Sequence, residues 1–518
     1  MKPSRKTKQT WEFGDFQTPD SLAIQVTDVL QRLNFHPLSV IEPTCGRGSL
    51  FVSAIKTYPD ASRYIGVDIN ALHLKSLKDR LDEEGLTHGV DLLHADFFSI
   101  DWNSLLVDLR EPFLIIGNPP WVTSSELSLL RSSNLPEKSN FQKRNGVEAI
   151  TGKSNFDISE WMLLQHLAWM QNKTGMIAML CKTAVARKVL TQAWQKHLPI
   201  SLAHIYKINA KKYFNAAVDA CLFVVQFTAS SESRECMVFD TMTAQIPVTT
   251  LGCLDNMLLS NVTTYKQLRC LRGEDKNYTW RSGIKHDCAR VMELSRAEAA
   301  FVNGGGDKYA LEEDFLYPLL KSSDISNGRI AGRLKYMLVT QRYVGEDTSR
   351  LSSIAPKTWS YLQANREALA KRGSSIYKKR PDFSIFGVGD YTFAPWKVAI
   401  SGFYKRLNYV VVAPIDDRPV VFDDTVYFLA CASEREATFV YKLLNSDEAK
   451  RFFNTMIFWE DKRPITIEIL KRLSLQSLAR LLGREAEYEE IIKERGRPDY
   501  TAQVTQLRLL EHCRGYED

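Results

Sequence analysis

Short apolar runs alternate with amphipathic stretches through the first 228 residues. Leu38-Ser-Val-Ile41, Arg63-Tyr-Ile-Gly-Val-Asp68, Val90-Asp-Leu-Leu-His94 and Pro112-Phe-Leu-Ile-Ile-Gly117 each have the length of one buried strand. Between them the apolar positions fall at helical spacing: Leu50, Phe51, Ala54 and Ile55 within Ser49 to Tyr58, then Leu72, Leu74, Leu77 and Leu81. A helix from Met162 to Trp169, a strand over Gly175-Met-Ile-Ala-Met-Leu180 and a β-rich run, Ala220-Cys-Leu-Phe-Val-Val-Gln-Phe227, continue the alternation. Strands separated by helices predict an α/β domain on a doubly wound, mostly parallel sheet. Such sheets bind ligands beyond the carboxyl ends of their strands.

Two polar interruptions punctuate this pattern. Ser124 to Ser154 is rich in Ser, Asn, Lys and Arg and reads as a mobile loop beside the fourth strand. Thr228-Ala-Ser-Ser-Glu-Ser-Arg234 is a Ser-rich break and sets the expected domain boundary, giving domains 1–228 and 229–518. The second domain is less regular, with β-type runs such as Tyr409-Val-Val-Val-Ala413 and a helical tail from about Ile467 to Arg495, and is expected to be α+β.

Composition narrows the classes. With 44% hydrophobic and 25% charged residues in a chain of 518, wholesale disorder is excluded and two to four domains are expected. No apolar run approaches the roughly 18 residues of a membrane span. The basic stretch Met1 to Thr10 has no apolar region behind it, so a cytoplasmic protein without a secretory signal or membrane attachment is expected. Nine scattered cysteines without a Cys-x-x-Cys suggest neither a zinc site nor a disulfide framework, and no metal is expected. The net charge is only +6, but residues 321–410 hold 16 basic against 6 acidic side chains and 13 aromatics. Cations for phosphates and flat rings for bases suit a polyanion such as nucleic acid, with Lys378, Lys379, Arg380, Lys397, Lys405 and Arg406 as candidate contacts. A solvated basic face over an aromatic core has the same composition.

Four segments at strand ends carry the chemistry. Glu42-Pro-Thr44-Cys-Gly46-Arg-Gly48 follows the first strand, and its glycines permit a tight turn and close backbone approach to a ligand. Asp68 ends the second strand, where an acid accepts both hydroxyls of a ribose or, equally, caps the next helix. Ala95-Asp96-Phe97 after the third offers a carboxylate for an exocyclic amine and an apolar face for an adenine ring. Asn118-Pro119-Pro120-Trp121 follows the fourth. Its prolines hold the chain extended and remove two donors, leaving carbonyls and the Asn amide oxygen as acceptors beside an aromatic ring. An amine held by two such oxygens directs its lone pair away from them. Alone, Asn-Pro-Pro is a rigid turn with a capping aromatic.

In this order the segments resemble the motifs of the γ-class, TaqI-like DNA adenine-N6 methyltransferases. Phe16-Gln-Thr18-Pro19 resembles the motif ahead of the cofactor loop, and Tyr213-Phe214 before Ala217 to Val225 resembles the segment whose Phe stacks on a flipped base. A looser likeness to the family's target-recognition domain runs through Pro318 to Ile325, Phe383 to Phe393 and Lys462-Arg463-Pro464. The departure is Trp121, where Tyr or Phe is commoner. The resemblance implies a Rossmann-like methyltransferase sheet, S-adenosylmethionine as cofactor and double-stranded DNA as partner. It gives Asp68 the cofactor ribose, Asp96 the adenine amine, Phe97 and Ile69 the ring faces, and Thr18 the methionine end. Glu42, Thr44, Gly46 and Gly48 belong to the cofactor loop, Asn118, Pro119, Pro120 and Trp121 to catalysis, and Trp121 and Phe214 to a sandwich around the target base. A restriction endonuclease encoded separately is expected rather than a fused one. The same tetrapeptide occurs in enzymes that modify RNA adenine or guanine or a protein glutamine, and an idle DNA-binding subunit would keep the fold.

Overall fold

The computed structural model describes residues 17–122, 157–229, 231–328 and 334–495. The polar segment Ser124 to Ser154, Phe16 and Cys513 lie outside the described residues. The chain divides into two compact units, Met1–Val262 and Thr263–Asp518.

In the first unit, α1 (Asp20–Arg32) leads into β1 (Ser39–Glu42), α2 (Ser49–Thr57), β2 (Arg63–Asp68), α3 (Ala71–Glu84), β3 (Val90–His94), α4 (Trp102–Val107) and β4 (Phe113–Gly117). After the polar segment come α5 (Ile158–Trp169), β5 (Gly175–Lys182), α6 (Thr183–Gln195), β6 (Ile200–Ile208), α7 (Ala210–Phe214) and β7 (Ala220–Phe227). With β8 (Glu235–Phe239), β9 (Thr249–Leu254) and β10 (Met257–Leu259), the strands lie in one sheet in the order β10-β9-β8-β6-β7-β5-β4-β1-β2-β3. β1 pairs in parallel with both β2 and β4, which carry the chain to opposite sides of it. This reversal of strand order opens a crevice at the carboxyl ends of β1 and β4. Both strands are buried along their whole length, which is why β4 reads as an unbroken apolar run.

The parallel arrangement expected from the sequence holds from β3 through β5, whereas β7 runs antiparallel to both β5 and β6. No strand was expected at β6, where Ser201, His204 and Lys207 interrupt the apolar residues. The boundary also differs. The Ser-rich break after residue 228 is a connection within the unit, because β8 returns to pair with β6, and β9 and β10 add to that edge. Buried Cys236, Val238 and Phe239 tie β8 to the sheet.

The second unit is α+β. One sheet, β11-β20-β17-β18, consists of Arg281–Ser282, Val426–Cys431, Trp396–Ser401 and Tyr409–Val412. The other, β14-β13-β12-β16-β15-β19, consists of Lys308–Tyr309, Ala300–Val302, Glu293–Ala297, Lys335–Leu338, Leu316–Leu320 and Val421–Phe422. The expected tail forms three helices, Ile467–Leu470, Leu475–Leu481 and Glu485–Arg495. Met292, Leu294, Met337, Leu338 and Ile385 form part of one core. Beside them the side chain of Glu293 is only 2% exposed and receives Lys321 Nζ at 2.5 Å, Lys335 Nζ at 3.1 Å and His286 Nε2 at 3.4 Å. Burial pushes this carboxyl up, but the hydrogen bonds from His286, Lys321 and Lys335 outweigh it and hold the pKa at about 2.

One expected DNA contact is corrected here. Lys397 lies on β17, between β18 and β20, with 1% exposure, and its Nζ donates to the Ala394 carbonyl at 2.6 Å. Burial lowers its pKa to about 7. A side chain so enclosed reaches no phosphate. Lys378, Lys379, Arg380, Lys405 and Arg406 are exposed.

Candidate active site

The turn after β1 is fixed by its neighbour strand. Cys45 N–H donates to the Val67 carbonyl at 2.9 Å and Gly46 N–H to Asp68 Oδ2 at 2.8 Å, while Asp68 Oδ1 accepts Asn70 N–H at 2.7 Å. One carboxylate thus holds two strand-end turns together. Gly46 and Gly48 have φ of 52° and 82°, in the left-handed region where a side chain is strained. A Cβ on Gly48 would stand 2.2 Å from Leu77 Cδ1, so Gly48 serves the packing of the turn against α3 and does not line the cavity.

The carboxyl ends of β1 to β4 enclose a cavity of about 530 Å³. Glu42, Thr44, Gly46, Asp68, Ile69, Asp96, Phe97, Asn118 and Pro120 all line it, together with Thr18 from the segment ahead of α1. Ile69 is 46% exposed and presents apolar surface to it. Asp96 is ordered by Phe98 N–H, which donates to its Oδ1 at 3.0 Å. Phe97 is backed by the rings of Phe98, Trp102, Trp161 and Trp169. Among the described residues no lysine or arginine lines the cavity. Glu42 is 2% exposed, and its Oε2 has no hydrogen-bond partner among the described residues. Burial and then the charge of Asp68 raise its pKa well above the usual carboxylate range. A buried acid left in this state suits a ligand that brings a positive charge.

The Asn-Pro-Pro-Trp segment leaves β4 at the same mouth. Asn118 Nδ2 donates to Thr18 Oγ1 at 3.2 Å, fixing the amide plane. Beyond it, Lys182 at the end of β5 donates from Nζ to the Trp121 carbonyl at 3.0 Å and to Asp157 Oδ2 at 2.6 Å. Ile158 N–H bonds the Val122 carbonyl at 3.0 Å, so the chain before and after the polar segment is stapled beside the elbow. Pro119 is buried and does not line the cavity.

The expected aromatic sandwich is not formed. Trp121 is 5% and Phe214 7% exposed, and their rings meet edge to face with centroids 5.0 Å apart and planes at 71°. Rings in contact at that distance leave no slot for a third. Trp121 also donates from Nε1 to the Leu180 carbonyl at 3.2 Å, a bond for which Phe has no donor and that draws the indole into the core.

An N-6 DNA methylase model matches residues 5–188. The type II methyltransferase M.NspV of Nostoc sp. is 42% identical over 478 residues, which cover 92% of this chain and 98% of that protein. The chain belongs to the type II methyltransferases. Another relative, the type II methyltransferase M.CvrRI of Paramecium bursaria Chlorella virus XZ-6E, is 34% identical over 117 residues, 22% of this chain and 26% of that one. The solved type IIL restriction-modification enzyme MmeI in complex with DNA covers 86% of this chain and 63% of its own at 13% identity, with a TM-score of 0.47, too low to bear on the argument.

This methyltransferase also places at the site residues for which no role was expected, one of them, Gln17, inside the motif ahead of the cofactor loop. Gln17 accepts Arg47 N–H through Oε1 at 3.0 Å and closes the loop from the far side. His73 Nδ1 lies 3.8 Å from Asp68 Oδ1, and His94 Nε2 lies 3.0 Å from the Ile69 carbonyl oxygen. Ile158 and Met162 form part of the wall from α5. His73, one helical turn after Asn70, was open to a reading of helix periodicity from Asp68. Lys182 and Asp157 gave no local signal, since only the fold brings them to Trp121. Among the described residues no helix is long and apolar enough to cross a membrane.

Proposed function

We propose that this methyltransferase moves a methyl group from S-adenosylmethionine to the N6 amine of an adenine in duplex DNA, in the manner of the γ class. One observation carries the reading. Asn118, held by Thr18, opens into the same cavity as the Gly46 turn, Asp68 and Asp96. When bound, S-adenosylmethionine supplies a methyl carbon activated by a sulfonium. Asp68 accepts the ribose hydroxyls and Asp96 the adenine amine, with Phe97 and Ile69 on the ring faces. Thr18 and Glu42 face the charged methionine end, which meets the acid that the protein leaves without a cation. The Asn118 amide oxygen and the Pro119 carbonyl, which has to turn out of its buried place to reach the cavity, accept the two hydrogens of the target amine and turn its lone pair toward the methyl carbon. Orientation of this kind supplies much of the acceleration.

The adenine leaves the helix to arrive there, at a cost of roughly a few kcal/mol. Phe214 and Trp121 part to receive it. The second unit grips the duplex, with Lys378, Lys379, Arg380, Lys405 and Arg406 on phosphates. A separately encoded endonuclease completes a restriction-modification pair in which the methyl group protects host DNA. Asn118→Ala is expected to lower methyl transfer to duplex DNA at least about 1000-fold with cofactor binding by calorimetry intact. Near-full activity would remove the role of Asn118. Tritiated methyl appearing in RNA or protein instead of duplex DNA would replace the substrate.

A further inference from the structure

An exposed cation of the second unit, Arg380, stands beside a tight turn whose tip is apolar. Tyr343-Val344-Gly345-Glu346 closes through Glu346 N–H to the Tyr343 carbonyl at 3.2 Å, with Gly345 at φ 91°, as a type II turn requires at its third position. Its base is clamped. Gln341, only 1% exposed, donates from Nε2 to the Glu346 carbonyl at 2.6 Å and accepts Ile385 N–H through Oε1 at 2.9 Å. Thr340 Oγ1 donates to the Phe383 carbonyl at 2.9 Å, and Arg350 Nε pairs with Glu346 Oε1 at 2.9 Å. Buried polar groups therefore hold rigid a turn that presents Tyr343 at 61% and Val344 at 42% exposure.

A turn ordered this firmly does not keep two large apolar side chains in water for the sake of the core. Its surroundings indicate what covers them. The space where a Cβ on Gly345 would stand is 3.6 Å from Arg380 Nη1, and Lys378, Lys379 and Arg380 are all exposed. Lys379 holds φ at 59°, a left-handed conformation uncommon for a lysine and often found where function requires it. Of the nearby carboxylates, Glu346 pairs with Arg350 and Asp382 with Arg366, while exposed Asp347 accepts the Ser349 N–H and Oγ–H. A stiff apolar tip beside exposed cations complements a nucleic-acid groove, where phosphates flank bases whose thymine methyls and ring faces are apolar.

We propose that the Tyr343–Val344 turn reads base pairs in the target site, while Lys378, Lys379 and Arg380 bind the flanking phosphates. This rests on the reading of duplex DNA as substrate. The target sequence is first identified by sequencing methylated DNA from cells expressing the full chain. Methyl transfer is then measured on that duplex, and on duplexes with single base-pair changes, at several salt concentrations. Tyr343→Ala/Val344→Ala, with Gly345 and Gln341 untouched, is expected to melt like the parent and lose at least about ten-fold of the discrimination against one or more changed sites. Its salt dependence is expected to match the parent's. Lys378→Ala/Lys379→Ala/Arg380→Ala is expected to do the reverse, weakening all sites alike and flattening the salt dependence by about 0.9 for each phosphate no longer neutralised. Full discrimination in the turn variant would overturn the proposal and leave the DNA reading standing. Parent protein that methylates no duplex DNA would overturn both.

Discussion

Glu42 in the first unit and Glu293 in the second are both buried carboxyl groups, and their surroundings treat them in opposite ways. Glu293 is met by His286, Lys321 and Lys335, and its charge is stabilised within the protein. Glu42 meets the charge of another acid, Asp68, and one backbone hydrogen bond at Phe51, beside a cavity with no lysine or arginine in its wall among the described residues. The first unit does hold a lysine near its site, Lys182, but directs it to Asp157 and the Trp121 carbonyl. A carboxyl compensated from within contributes to stability. One left without a cation keeps its interaction for something that arrives.

This contrast can be broken at four points. The largest effect is expected from Glu293→Gln. A pKa depressed to about 2 contributes stability that is present above the unfolded value and fades as pH falls from about 4.5 toward 2. The substitution should remove roughly 2–3 kcal/mol at neutral pH and flatten the acid limb of a denaturation series. Lys182→Met should come next, lowering kcat roughly 10- to 30-fold through a misplaced elbow, without changing cofactor affinity. Lys182→Arg should restore much of the loss, and an unchanged kcat would leave the staple without a role.

Glu42→Gln should weaken cofactor binding about ten-fold, the scale of a hydrogen bond to a charged partner. A raised pKa that falls when a cation arrives means that the parent releases a proton on binding. Calorimetry in two buffers of different ionisation enthalpy should detect that release in the parent and not in the variant; proton uptake would break the contrast. The smallest effect is expected from Lys397→Met. With its pKa lowered to about 7, the parent gains stability as pH climbs from there toward 10.5. The variant should lose that slope, gain about 1 kcal/mol at neutral pH and bind DNA as before.

The strands that could be read from sequence were short apolar runs bounded by turns. β2 and β7, buried along nearly their whole length, and β3, a half-buried edge strand, begin and end where those runs do. β6 escaped because three polar side chains break its run, and the boundary moved because a Ser-rich stretch marks any exposed connection, whether inside a domain or between two. At the site, the strand-end residues were legible because parallel strands deliver their last residues to one edge. Lys182 and Asp157 depend on distances that only the folded chain sets. Counting cations found the basic face of the second unit but misjudged Lys397, whose place in a strand paired on both sides outweighs its charge.

The contact between Trp121 and Phe214 has a consequence for selectivity. Any flat guest must first give up an edge-to-face attraction of about 0.5–1.5 kcal/mol before gaining its own. A purine, with two fused rings, recovers that deficit more fully than a pyrimidine. On the proposed reading, the pair would thus sort visitors by ring area before a single hydrogen bond is tested.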